Sequence, residues 1–169
     1  MCGTLVPSRQ WSRALRSPGG VHSYAKLFIG EVFDMELSAQ DALIHLMVAA
    51  AASDEAISGA ELERIQSLVE RTPIFAGFDQ SRLEVVANAC IDVINAKGLD
   101  AALDAAAAAL PHKLQDTAYA LAVEITVVDL RLPQEELRLL EMIRDRLTID
   151  RLVTAAIEAS ARARMRTAA

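Results

Sequence analysis

Residues 41–71 read DALIHLMVAAAASDEAISGAELERIQSLVER, and residues 116–146 read DTAYALAVEITVVDLRLPQEELRLLEMIRDR. The two stretches align without a gap at an offset of 75 residues. Asp41, Leu46, Val48, Asp54, Glu61, Leu62 and Arg71 recur as Asp116, Leu121, Val123, Asp129, Glu136, Leu137 and Arg146. Ile57, Ile65 and Leu68 recur as the apolar Leu132, Leu140 and Ile143. Each copy opens with a long, almost wholly apolar segment, passes through a short acidic link, and closes with an amphipathic segment of helical period. An apolar helix with no polar face has to be enclosed on all sides. The pattern therefore predicts a helix–link–helix unit present twice, an internal duplication arranged around an approximate two-fold axis.

The first apolar helix is expected from Ser38, an N-cap with Asp41 at the third position, to about Ser53. Ser58 and Glu61 have the spacing of a capping box at the start of the next helix. Its stripe is Leu62, Ile65, Leu68 and Val69. Thr72 to Phe78, with Pro73 and Gly77, reads as a loop whose Ile74, Phe75 and Phe78 tuck beneath the helices. A helix from Asp79 to Lys97 follows, striped with Leu83, Val86, Ala87, Cys90, Ile91 and Ile94 and closed by Gly98. Leu99 to Leu110 is an alanine-rich helix that Pro111 ends, and its small side chains suit close packing. After the second copy a last helix starts near Asp150, with Leu152, Val153, Ala156 and Ile157 expected to be buried. Arg162, Arg164 and Arg166 close it, which the helix dipole favours. With aromatic residues at only 4%, and Gly and Pro mostly between periodic segments, the fold class is all-α.

A chain of 169 residues is long enough to bury a sizeable core as one domain. Its net charge of −6 argues against a general nucleic-acid binder, which needs a basic face to displace counterions. Residues 1–34 stand apart: Arg9, Arg13, Arg16 and Lys26 against Glu31 and Asp34 give a net +2, which leaves −8 for the remainder. Pro7, Pro18, Gly19 and Gly20 interrupt this extension. It can be read as a flexible basic arm, an organellar targeting peptide, or sequence upstream of a true start at Met35. Met35 directly precedes the first strong helix, which favours the last reading. Residues 35–169 form the helical domain. No stretch reaches the roughly 18 apolar residues of a membrane helix, so the expectation is a soluble protein of the cell interior.

Catalytic arrangements are not apparent. His22, His45 and His112 lie on three different segments, no phosphate-binding loop is present, and Cys90 falls within an apolar stripe. A non-catalytic protein is expected. The acidic links carry the chemistry that is visible, as Asp54, Ile57, Ser58, Glu61, Leu62 and Asp129, Leu132, Pro133, Glu136, Leu137. An aspartate beyond the C-terminal end of a helix faces the negative pole of its dipole and needs a partner. Backbone N–H groups of the turn can serve, as can a cation. If the copies pair around a two-fold axis, Asp54, Glu61, Asp129 and Glu136 would approach one another, with Glu55 and Glu135 adding charge. Such a set suits calcium or magnesium. An EF-hand does not fit, since Ala56 occupies the position two residues after Asp54.

Two further residues stand out. His45, one turn after Asp41, is either a metal ligand or a partly exposed histidine bonded to that carboxylate. Glu124 lies within the apolar run Leu121 to Val128, as a perturbed acid or ligand, or as half of an ion pair with an arginine such as Arg131 or Arg138.

The doubled pattern of Asp, Ile or Leu, Ser or Pro, Glu and Leu, each copy after an alanine-rich apolar helix, resembles the TerB family of tellurite resistance proteins. The resemblance covers roughly residues 38–165. It implies a compact bundle of about seven helices in a bacterial, cytoplasmic protein of tellurite or general stress resistance. Protein partners, membrane-associated ones among them, are implied as well, together with acidic-site roles for Asp54, Glu61, Asp129 and Glu136. The chain departs from the family pattern directly after each aspartate, where Glu55 and Leu130 stand in place of a frequent glycine.

Overall fold

The computed structural model describes residues 37–51, 59–126 and 134–166. Among them are seven α-helices and no strand. They are α1 (Ala39–Ala51), α2 (Gly59–Arg71), α3 (Leu83–Lys97), α4 (Leu99–Ala109), α5 (Gln115–Thr126), α6 (Gln134–Arg146) and α7 (Arg151–Arg164). The fold is all-α, a helical bundle. The expectations for residues 1–34 and for the Ser58 cap lie outside the described residues.

α1 is the centre of the bundle. Ser38 caps it as expected, its hydroxyl accepting from the Asp41 N–H at 3.1 Å. Every residue from Asp41 to Ala51 is buried. Such a helix has no face to offer water, so its neighbours must surround it. α3, α4 and α5 pack along it, and α2 and α6 also touch it. Leu43, Ile44, Met47 and Val48 fill the gaps between those neighbours, while Ala42, Ala49, Ala50 and Ala51 let backbones come close. Fully burying one large aliphatic side chain contributes about 1.5–3 kcal/mol. α1 is thus the largest single source of stability in the bundle.

α3 begins later than the sequence suggests. Asp79 caps a single 3-10 turn, Gln80–Arg82, by accepting from the N–H and the hydroxyl of Ser81 at 2.9 and 2.7 Å. The α-helix proper starts at Leu83, and its stripe of Leu83, Val86, Ala87 and Cys90 is buried against α1. Gly98, at φ +88°, ends α3 and is also the residue before α4. That backbone conformation strains any L side chain. Phe75 and Phe78 are tucked beneath the helices as predicted, edge to face with centroids 6.2 Å apart.

α5 is the second hub, packing on α1, α2, α6 and α7. α2 ends at Arg71 and α6 at Arg146, 75 residues later. α1 contacts α6, and α5 contacts α2.

α7 corrects the sequence reading. Leu152, Val153 and Ala156 are exposed and Ile157 is half-buried, whereas Thr154 and Ala161 face the protein. The helical period was right, but the face was turned. α7 lies on α5 through small and polar residues, with Tyr119 of α5 donating its hydroxyl to Glu158 at 2.7 Å.

These burials give a paired test. Leu46→Ala, at a site 1% exposed, should cost about 2–5 kcal/mol in a denaturant melt. Leu152→Ala, at a site 81% exposed, should stay within about 0.5 kcal/mol of the parent. Equal losses at the two positions would contradict the orientation of α7.

Candidate functional site

The predicted carboxylate cluster is only partly within view. Asp54 and Asp129 lie outside the described residues. Glu61 is half-buried on the first turn of α2. Glu136 falls on the first turn of α6, and its side chain lies outside the described residues. Among the described residues, no group of three or more His, Cys, Asp or Glu is placed to hold a metal ion.

His45 is not the partly exposed, Asp41-bonded histidine that the spacing suggested. It is 5% exposed, and its ring donates to the backbone of Val86 on α3. The Asp41 carboxylate turns instead to Arg82, whose Nη2 stands 3.2 and 3.3 Å from the two oxygens. A guanidinium offers a full charge to the carboxylate, and a neutral imidazole does not. No local spacing signals this competitor, because Arg82 reaches Asp41 through the 3-10 turn before α3. Cys90 completes the layer by donating its thiol to the His45 carbonyl at 3.4 Å. Burial raises that thiol's pKa to about 12, so it is protonated and inert at neutral pH. The three residues lock α1 to α3.

Glu124 organises the other polar site. It stands on the last turns of α5, where the C-terminal ends of α2 and α7 arrive from either side. Arg164 of α7 lies 3.0 Å from one carboxylate oxygen, and Arg71 of α2 lies 3.7 Å from the other. Arg64, two turns before Arg71, donates Nε to the Glu124 backbone carbonyl at 2.6 Å. The expected partners are therefore corrected. Arg138 pairs with Glu141 at 3.2 Å on its own helix, and Arg131 lies outside the described residues. At 21% side-chain exposure, Glu124 sits at the rim of the core and not within it. Its apolar neighbours Val123 and Ile125 face inward, as a helix turning 100° per residue requires.

Around this carboxylate opens a cleft of about 500 Å³. Among the described residues, Arg64, Arg71 and Arg164 supply its cations, Glu124 its acid, and Leu68 and Met165 part of an apolar wall. Sequence reasoning placed Arg164 in a basic C-terminal patch explained by the dipole alone. It missed that the patch meets Arg71. The one available signal was the recurrence of Arg71 as Arg146, because both are committed to other helices. In the second copy Arg146 bonds Asp104 at 2.6 Å and also Asp100, both on α4.

A pH dependence follows from His45. Burial, opposed in part by the Asp41 charge, lowers its pKa below the ordinary 6.5. The unfolded chain then takes up a proton more readily than the folded one as the pH drops. This share of stability is complete above about pH 6.5 and is lost as the pH falls toward the lowered folded-state value. Melting temperature should decline from about pH 7.5 to about pH 5, and His45→Gln should flatten that decline. An unchanged slope in the variant would assign the acid sensitivity elsewhere.

Comparison with models of known protein families, with curated proteins and with solved structures returns no match for this chain.

Proposed function

We propose that the chain is a non-catalytic, TerB-like stress-response module that holds a divalent cation, calcium or magnesium, between its two acidic links. Asp54, Glu61, Asp129 and Glu136 would supply hard oxygen donors of the kind these ions prefer. One observation carries the reading. The helix pairs on either side of the two links pack reciprocally, α1 on α6 and α5 on α2, and α2 and α6 end 75 residues apart, at Arg71 and Arg146. That arrangement supports a duplicated unit whose links occupy equivalent positions about a pseudo-two-fold axis. Cys90 and His45, whose side chains often serve catalysis, are spent on holding α1 to α3, and this supports a non-catalytic role.

A helical interaction scaffold without metal is the second reading. Leu152 and Val153 favour it, since they leave apolar surface exposed on α7. Among the described residues no helix is long and apolar enough to cross a membrane.

Calorimetry with calcium and with magnesium separates the two. On the first reading each ion, or one of them, binds and raises the melting temperature, by about 2.7 kcal/mol of added stability at a hundred-fold excess over Kd. The double variant Asp54→Asn/Asp129→Asn should lose that binding and keep its helical circular dichroism. No heat of binding at about millimolar metal, where weak calcium modules still bind, would leave the scaffold.

A further inference from the structure

We propose that the arginine cleft between the C-terminal ends of α2 and α7, beside Glu124 of α5, binds a small phosphate monoester. The chain as a whole carries −6, yet among the described residues the cleft brings Arg64, Arg71 and Arg164 together against the single carboxylate of Glu124. Helix dipoles explain part of this, because the C-terminal ends of α2 and α7 meet here and each favours a cation. They do not explain the surplus of donors. A guanidinium carries five N–H groups. Arg64 spends one on the Glu124 carbonyl, Arg164 forms an ion pair with one carboxylate oxygen at 3.0 Å, and Arg71 at 3.7 Å is beyond hydrogen-bond reach of the other. Arg71 and Arg164 are 59% and 60% exposed along the cleft wall, so most of their N–H groups face solvent.

Glu124 serves as a placeholder in this arrangement. It draws the two guanidinium groups to opposite sides of one carboxylate, so that they already flank a bound anion's position. A phosphate monoester carries close to two negative charges and three acceptor oxygens. That offers acceptors to the solvent-facing N–H groups of Arg71 and Arg164 and matches the planar fork of arginine. Thr72 adds a hydroxyl at the rim, since it makes no side-chain bond to the turn it precedes. The volume of about 500 Å³ falls in the range of small-molecule sites. Leu68, Pro73 and Met165 give the organic part of the ester an apolar wall.

The test uses the full chain in chloride buffer at constant ionic strength, titrated with phenyl phosphate, with inorganic phosphate and with phenol. Phenyl phosphate should bind saturably and more tightly than inorganic phosphate, and phenol should not bind. Arg71→Gln/Arg164→Gln should weaken phenyl phosphate at least about tenfold, the expected result of losing charge-assisted hydrogen bonds. Arg138→Gln, whose partner is Glu141, should leave it unchanged. Glu124→Gln is the decisive variant. A purely structural carboxylate would give looser helices and no gain in binding, whereas a placeholder gives way to the ligand and the affinity rises several-fold. Absence of saturation at about 10 mM phenyl phosphate, weaker than any affinity worth about 3 kcal/mol, would overturn the proposal. Equal affinity in the parent and the double arginine variant would overturn it too.

Discussion

The burial of α1 on every side is the constraint from which the rest of the architecture follows. Eleven successive residues, Asp41 to Ala51, lie beneath the surface, and a single helix cannot hide itself. At least three neighbours are needed to cover a cylinder, and α3, α4 and α5 take that place, with α2 and α6 across the remaining gaps. The composition of the covering helices reflects the task. α4 is mostly alanine, so its backbone can lie close to the alanine positions of α1. α3 brings larger side chains to the side where the aromatic pair Phe75 and Phe78 closes the base.

Burial this complete leaves no room for unpaired polar atoms, and the few that enter are all matched. Among the described residues, every buried side-chain nitrogen and oxygen has a partner. Asp41 has Arg82 and His45 has the Val86 backbone. Thr126 returns its hydroxyl to the carbonyls of Ala122 and Val123. An orphaned group in such a core costs roughly 1–3 kcal/mol, enough to decide which register α1 and α3 adopt. The polar layer thus selects one packing among the many that a smooth apolar helix would tolerate.

How much of this could be read from the residues depends on whether the signal is local. The apolar run of α1 announces a central helix because no other position suits it. Ser38, Gly98 and Pro111 mark boundaries through backbone chemistry that needs no tertiary context. α7 shows where such reading stops. Its period is visible, but Leu152 and Thr154 lie on different faces, and the choice between them was made by Tyr119 and Glu124 on another helix. Glu124 shows the same limit from the other side. Its partners Arg71 and Arg164 are far away in sequence, while the nearer Arg138 is taken by Glu141. Even the repeat misleads in detail, since Asp41 is buried against Arg82 while Asp116 merely accepts from the next residue's N–H.

The sparse seating of α7 sets an order of opening. Only Thr154 and Ala161 are buried along its length, and its polar ties to α5 are the contacts of Glu158 and Arg164. A helix held so lightly detaches at a small fraction of the global unfolding free energy, and its amides exchange with solvent long before those of α1. Each detachment withdraws Arg164 from Glu124 and frees the Tyr119 hydroxyl. Among the described helices α7 thus acts as a cover over α5, and the side chains beneath it meet solvent on the cover's timescale.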